Sequence, residues 1–228
     1  MLLRWLGDLL SPPRCAACSL PVADALRIFC AACAATVVRC DRSSSSVAFA
    51  VYGGAIGRAI QRFKYEDEPH LARPLGAMLR RACRERGVRA DIVVPVPLHR
   101  HRLALRGFNQ SALLARHVAA ELKAPFMAGV LARVIDTVPQ VELSGDERRA
   151  NVDGAFLVRD AQGVRDRTVA LVDDVSTTGS TLRACRKVLM RAGAARVMNV
   201  VVARTGTVGF TGRAADGTST GDDERQAM

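Results

Sequence analysis

Aromatic residues are scarce in this chain of 228 residues, which contains one Trp, two Tyr and seven Phe. Proteins that hold single-stranded nucleic acid often stack its bases on aromatic rings, so this scarcity argues against strong binding by stacking. The chain also lacks a long apolar run at its start, where MLLRWLGDLLSPP is interrupted by Arg4, Gly7 and Asp8. That stretch is too short for a signal peptide or a membrane span. We expect a short amphipathic helix over residues 1–14, docked on the protein or in peripheral contact with the inner membrane, and a cytoplasmic location.

Acidic residues are in the minority, because 22 Asp and Glu stand against 33 Lys and Arg, and the net charge is +11. An excess of positive charge favours an anionic partner such as nucleic acid, a phosphate-rich metabolite or anionic lipid. A compositional bias toward arginine explains the same excess without any function, so the charge alone selects no partner. The length suits one substantial domain plus a small unit.

Cysteine is comparatively abundant, and four of the seven cysteines form two CAAC pairs. These are Cys15, Cys18, Cys30 and Cys33. Two such pairs on a short segment offer four thiolates to one tetrahedral ion, which predicts a structural zinc knuckle over residues 15–40. Disulfides are the alternative, and the expected reducing compartment counts against them. Cys40 is either a substitute ligand or a bystander, and Cys83 and Cys185 fall in helical patterns that predict core positions.

After a serine-rich linker at 41–46, apolar strands alternate with amphipathic helices. This pattern predicts an α/β domain over residues 47–205, with a mainly parallel sheet flanked by helices. The strands are expected at 47–52, 154–158, 167–174 and 195–203, and over residues 91–98 a short strand is expected to run into a proline-fixed loop. Residues 206–228 are rich in Gly, Thr and Asp without periodicity, and we expect them to be disordered.

The segment TVALVDDVSTTGSTL combines an apolar strand, two adjacent acids and a run of hydroxyl residues. The acids are Asp173 and Asp174, and the run is Ser176, Thr177, Thr178, Gly179, Ser180 and Thr181. Ligands of parallel sheets bind at the carboxyl ends of the strands, and a helix that begins near Ser180 offers N–H groups to a phosphate. Carboxylates accept hydrogen bonds from sugar hydroxyls or hold Mg²⁺. A ribose 5-phosphate accounts for both parts of the segment, since its sugar hydroxyls suit the acids and its phosphate suits the hydroxyl run. A hydroxyl-rich helix cap explains only one hydroxyl.

A second segment, VPVPLHRHRLALRGFNQS, is a candidate cradle for a diphosphate. It is read as a loop stiffened by Pro95 and Pro97 around Val96, followed by Arg100 and Arg106. Arg102, His99 and His101 add further donors. Arginine forks match phosphate oxygens, but a solvated basic loop or a nucleic-acid contact fits the same residues.

These segments resemble a known family. TVALVDDVSTTGST is similar to the phosphoribosyl diphosphate signature of type I phosphoribosyltransferases. With VPVPL…RGFNQ, TVPQVEL…RRANVDGAF, the short FKY motif and the cysteine knuckle, the chain resembles the ComF family of competence-associated proteins. The motif residues are Phe63, Lys64, Tyr65, Gln140, Leu143, Arg148, Asn151, Gly154 and Phe156. The resemblance implies a type I phosphoribosyltransferase-like fold in which Asp173 and Asp174 contact ribose hydroxyls and residues 177–181 hold the 5-phosphate.

Two functions follow from this resemblance. The first is a protein that binds phosphoribosyl diphosphate with Mg²⁺ and acts in competence, with single-stranded DNA and a competence helicase as partners. The alternative is an active, Mg²⁺-dependent phosphoribosyltransferase of nucleotide metabolism or salvage, in which Asp173 and Asp174 are catalytic and Asp173 is the leading candidate to stabilise the cationic sugar. A zinc-knuckle interaction module ranks below both, because it leaves the acid and hydroxyl motif unexplained.

Overall fold

The computed structural model describes residues 13–23, 27–41, 46–135 and 154–206. Most of the predicted amino-terminal helix, part of the serine linker and the predicted disordered tail from residue 207 lie outside the described residues. So do the motif residues Gln140, Leu143, Arg148 and Asn151.

The described strands form a four-stranded parallel sheet and a small antiparallel pair. Their bounds are β1 (Val47–Val51), β2 (Ile92–Pro95), β3 (Leu131–Arg133), β4 (Phe156–Val158), β5 (Thr168–Ser176) and β6 (Arg196–Arg204). The larger sheet has the order β1-β6-β5-β2, and β3 pairs with β4. All three pairings in the larger sheet are parallel, which confirms the predicted sheet.

Helices connect the strands and cover both faces of the sheet. They are α1 (Ala31–Ala34), α2 (Gly54–Tyr65), α3 (Ala72–Glu85), α4 (Arg100–Arg106), α5 (Gln110–Leu122) and α6 (Ser180–Arg191), with a 3₁₀ turn at Pro69–Leu71. Alternate residues of β5 point to opposite faces, as the two-residue repeat of a strand requires. Ala170 and Val172 pack with α2, α3 and α5, whereas Val169 and Leu171 pack with α6 and the small sheet.

Apolar residues recur at helical spacing in α2, α3 and α6, including Leu182, Cys185, Val188 and Leu189 in α6, which predicts one inward face for each helix, and the structure confirms these faces. The buried residues include Ala55, Ile56, Ile60, Phe63, Leu75, Met78, Leu79, Cys83, Leu182, Cys185 and Leu189. Val188, predicted to point inward with them, is only partly buried. In the described part of the chain, we find no helix both long enough and apolar enough to cross a membrane.

The outer strands of the sheet are covered by flanking chain. The amide of Val51 donates to the carbonyl of Val38 at 2.8 Å, and the amide of Met127 donates to Val93 at 2.9 Å. Because these contacts use backbone groups of β1 and β2 that face outward, they protect both edges from pairing with another chain.

Two local features differ from the sequence prediction. The basic segment after β2, read as a loop, contains the short helix α4, which ends at Gly107 with a φ of +75°. None of its residues is buried, so it has no apolar face for a periodicity argument to detect. Strand β5 also runs two residues beyond its predicted end at 174, so that Val175 and Ser176 belong to the strand as well as the two acids.

Candidate functional site

The predicted acid pair lies at the carboxyl end of β5, in the interior of the protein. Asp173 is 8% exposed and Asp174 is 2% exposed. Strand β2 ends alongside them, where the amide of Val96 donates to the carbonyl of Val172 at 2.9 Å. Asn109 Nδ2 donates to the Val96 carbonyl at 3.1 Å and holds the turn in place. The structure therefore brings the Pro95–Pro97 segment next to the acids.

Asp173 is held by groups from two directions. The Ser111 hydroxyl, at the start of α5, donates to its Oδ1 at 2.7 Å, and the amide of Asp174 donates to the same oxygen at 2.9 Å. Burial and the neighbouring Asp174 charge raise the pKa of Asp173 to about 7, against the opposing charge of Lys64. A carboxyl group with this pKa gains or loses its proton near neutral pH.

Asp174 is paired with a residue from the end of α2. Lys64 Nζ lies 2.9 Å from Asp174 Oδ1. Burial alone would lower the pKa of Lys64, but the charges of Asp174 and Asp173 raise it above its ordinary value. The other oxygen of Asp174, Oδ2, is buried without a hydrogen-bond partner among the described residues. The site thus presents an unsatisfied acceptor, which a hydroxyl donor of a ligand would satisfy.

The hydroxyl-rich loop follows β5 directly and leads into α6. Its tip, Thr177 and Thr178, is exposed. Gly179 has a φ of +72°, a conformation that favours glycine, and this residue without a side chain precedes the first residue of α6. Thr205 fixes the loop to the end of β6, since its amide donates to Ser176 and its hydroxyl to Thr177, both at 2.9 Å. The loop and the helix start thus offer hydroxyl and N–H donors on one side of the acids.

A cavity of about 670 Å³ that is rich in basic residues adjoins Lys64, the partner of Asp174. It is lined by Lys64, Tyr65, Asp67, Arg102, Ala104, Leu105, Arg106 and Gly107. Arg106 donates to Gln110 Oε1 at 2.8 Å, and its guanidinium lies 5.1 Å from the centre of the Tyr65 ring. The predicted Arg106 therefore shares a cavity with Lys64, the partner of Asp174. Of the other predicted arginines, Arg102 lines this cavity and Arg100 does not.

A second cavity, of about 530 Å³, lies at the opposite edge of the sheet. It is lined by residues that include Arg84, Arg89, Asp91, Glu121 and Thr168. Because Asp91 and Thr168 stand at the amino ends of β2 and β5, this cavity is remote from the acids. None of the site residues predicted from sequence lines it.

The four CAAC cysteines form one cluster. Their sulfur atoms all lie within 4.8 Å of one another, and the Sγ atoms of Cys18 and Cys30 are 3.8 Å apart. Four sulfurs around one ion at about 2.3 Å would be about 3.8 Å apart, so the spacing fits a tetrahedral zinc site. All seven cysteines are free thiols, and Cys40 is not part of the cluster. The cluster can therefore hold a metal ion such as zinc.

This cluster packs against α2, the helix that also carries Lys64. Arg58 Nη2 donates to Cys33 Sγ at 3.6 Å, and Arg62 Nη1 donates to the Cys15 and Ala16 carbonyls, both at 3.2 Å. Helix α2 therefore connects the cysteine cluster with the acid pair.

Sequence analysis missed two residues that touch the acids. Ser111 and Lys64 reach them through tertiary contacts; Ser111 lies 62 positions from Asp173 in the chain. The sequence did mark both residues by their positions in motifs, since Ser111 directly follows RGFNQ and Lys64 is the middle residue of FKY. No spacing rule, however, assigned either of them a contact.

The fold and the acid-to-hydroxyl segment are those of a type I phosphoribosyltransferase-like protein. Comparison with known families agrees with this class. Residues 109–213 match the family described as phosphoribosyl transferase domain. Competence protein F of Haemophilus influenzae is 37% identical over 140 residues, which cover 59% of this chain and 61% of the relative. DNA utilization protein YhgH of Escherichia coli strain K12 is 33% identical over 164 residues, covering 70% of this chain and 71% of that protein.

The chain belongs to the family of competence protein F and DNA utilization protein YhgH, the ComF family that its motifs resemble. Among solved structures, it is similar to the glutamine phosphoribosylpyrophosphate amidotransferase of B. subtilis. The identity is 25% and the TM-score 0.40, over 57% of this chain and 25% of the other.

Proposed function

We propose that this protein binds phosphoribosyl diphosphate with Mg²⁺ at the carboxyl edge of its sheet, and that it serves the uptake or use of DNA. One observation carries the binding proposal: Asp174, a buried acid just before the hydroxyl-rich loop, is paired with Lys64, which also lines a basic cavity. Asp174 Oδ2 has no partner among the described residues, so a ribose hydroxyl gives it the donor that it needs. A phosphate or diphosphate without a sugar would not bind to the acids, because carboxylates repel a bare phosphate.

Each part of the proposed ligand has its own set of groups. Asp173 and Asp174 accept hydrogen bonds from the ribose hydroxyls. The 5-phosphate takes the hydroxyls and backbone N–H groups of residues 176–181, at the start of α6. The diphosphate lies against residues 95–97 and the arginines Arg100 and Arg106. Mg²⁺, which prefers oxygen ligands, neutralises the diphosphate charge when it is bound.

The cysteine cluster is proposed to hold a structural zinc ion. The four sulfur atoms lie within 4.8 Å of one another, and thiolates this close repel one another unless a cation lies between them. Free thiols and a thiolate metal site suit a reducing compartment, and we therefore place the protein in the cytoplasm.

The proposed role in DNA metabolism rests on the two relatives, whose names refer to competence and DNA utilization. Single-stranded DNA and a competence helicase are the partners that we propose. With a net charge of +11 and few aromatic residues, contact with the DNA backbone would dominate over stacking. Affinity for a single strand should then fall steeply as salt is raised. Peripheral contact with the inner membrane remains a prediction about residues 1–14.

Phosphoribosyl transfer is the second candidate function. The C1–O bond would break and the diphosphate would leave with the bonding electron pair, while an acceptor bonds to C1. Buried carboxylates beside C1 favour this chemistry, because their negative charge stabilises a cationic sugar in a site of low dielectric constant. Binding without transfer leaves the same site geometry, so only a measurement of turnover separates the two functions.

Calorimetric titration of the zinc-loaded protein with phosphoribosyl diphosphate and Mg²⁺ tests the proposal. We expect saturable binding to the wild type and binding at least about 10-fold weaker for Asp174→Asn, which removes a charged acceptor. Asp166→Asn is the matched control, because Asp166 is exposed before the amino end of β5. Equal binding by all three proteins would contradict the proposed site. Diphosphate release on addition of nucleobases or amines would establish the transferase instead of the binding protein.

A further inference from the structure

Lys64 stands where the acid pair meets the basic cavity. Its ammonium is 2.9 Å from Asp174 Oδ1, and its side chain retains 18% exposure. The same side chain lines the cavity of about 670 Å³. Lys64 therefore faces both of the groups that the proposed ligand must contact.

The cavity beyond Lys64 has the character of an anion site. Three of its lining residues are basic, namely Lys64, Arg102 and Arg106, against one acidic residue, Asp67. The Tyr65 ring and the amide oxygen of Gln110 hold Arg106 in place, and neither of these groups is a carboxylate. A multiply charged anion would gain from several of these cations at once, at a short distance.

The covalent structure of the ligand joins these two environments. In phosphoribosyl diphosphate, the diphosphate is attached to C1, and the neighbouring C2 carries a hydroxyl group. A residue that touches the carboxylate holding the ribose hydroxyls is therefore also close to the diphosphate. Lys64 is the described residue that touches Asp174 and also lines the basic cavity.

We propose that Lys64 is a binding residue for the diphosphate group, shared between the acid pair and the basic cavity. In the ligand-free protein, Lys64 neutralises Asp174. When a diphosphate enters the cavity, the ammonium donates to one of its oxygens, whether or not ribose hydroxyls also bond to the acids. This inference rests on the proposed function and adds to it a residue from α2, outside the segment 95–106 that was assigned to the diphosphate.

If Lys64 had only a structural role, the neutralisation of Asp174, a different pattern of binding losses would be expected. Loss of that neutralisation would disturb the acids themselves and weaken every ligand that uses the ribose hydroxyls. Loss of a diphosphate contact would weaken only ligands that carry a diphosphate. Ligands that contain one part or the other therefore separate the two roles.

The test titrates three ligands in the presence of Mg²⁺: phosphoribosyl diphosphate, inorganic diphosphate and ribose 5-phosphate. For Lys64→Gln, which keeps a hydrogen-bond donor toward Asp174, we expect the first two to bind about 10-fold to 100-fold more weakly. Ribose 5-phosphate should change by less than about 3-fold. Lys64→Arg should restore most of the affinity, and Lys123→Gln, an exposed lysine at the far end of α5, should change none of it.

Equal weakening of all three ligands, or no change in any of them, would overturn the role of Lys64 while leaving the proposed function standing. A wild-type protein that binds none of them would overturn the proposed function, and this inference with it.

Lysine-labelled NMR of the wild type gives an answer that does not depend on folding of the variant. Lysine occurs at Lys64, Lys123 and Lys187. Saturation with inorganic diphosphate and Mg²⁺ should shift the Lys64 side-chain signal and leave the other two in place. An unchanged Lys64 signal would overturn the inference.

Discussion

The cysteine cluster brings four thiols together and the acid pair brings two carboxyl groups together, but the two regions are stabilised in different ways. The cysteines lie on short segments with the four-residue helix α1, and Cys18 is exposed. The acids lie within β5, a nine-residue strand in the centre of the sheet. The acids have partners in Lys64 and Ser111, whereas the thiols face one another. We therefore expect that the first region needs a bound metal ion to fold, and that the second is formed before its ligand arrives.

The largest effect should come from breaking the cysteine cluster. Cys33→Ser removes one of four ligands, so we expect loss of bound zinc and a decrease in unfolding free energy on the order of 5 kcal/mol. The decrease should extend beyond the cluster, because Cys15 and Cys33 share a core with α2 and α3. Metal analysis and thermal melting check both expectations. Cys40→Ser is the control, and it should keep the zinc, since Cys40 lies outside the cluster. Full zinc content in Cys33→Ser would show that the cluster is not the metal site.

A change of pH should have the next largest effect, and it should act on the acid pair. Burial and the Asp174 charge raise the pKa of Asp173 from 3.8 to about 7, so the ligand-free folded protein binds more protons than the unfolded chain in that range. Stability contributed by Asp173 is therefore present below about pH 4 and is lost as pH rises through about 7. Asp173→Asn removes this dependence.

Denaturant unfolding of the wild type and Asp173→Asn from pH 4 to 8 measures the difference. Other groups titrate in both proteins, so the comparison isolates Asp173. The asparagine variant should gain stability relative to the wild type as pH rises. A constant difference across this range would mean that the acids are not destabilised by burial.

The smallest effect concerns the hydroxyl-rich loop, where we propose that the 5-phosphate binds. Gly179→Ala places a Cβ 3.0 Å from Arg183 Nη1, at a φ of +72°. We expect it to cost about 1–2 kcal/mol of stability, from the left-handed backbone. Gly193→Ala, at a φ of +95° after the other end of α6, is the matched control with a similar cost. Titration with ribose 5-phosphate should show about 10-fold weaker binding for Gly179→Ala only. Equal affinities in the two variants would remove the loop from the site.

The parts of the molecule that sequence predicted are those that depend on local pattern. Residue spacing predicts the apolar faces of α2, α3 and α6. It also predicts that Asp173 and Asp174 lie at the carboxyl end of an apolar strand. Helix α4 was not predicted, because its residues are not buried and stiff prolines precede it. The contacts of Lys64 and Ser111 with the acids depend on how distant elements pack, which spacing along the chain does not encode.

The most direct test of the central claim is a structure of the protein with phosphoribosyl diphosphate and Mg²⁺ bound. We predict that the ribose hydroxyls donate hydrogen bonds to Asp173 and Asp174, and that the 5-phosphate contacts residues 177–181. The diphosphate should lie in the cavity beside Lys64 and Arg106. A ligand bound instead in the cavity at the amino ends of the strands, near Arg84 and Thr168, would contradict it.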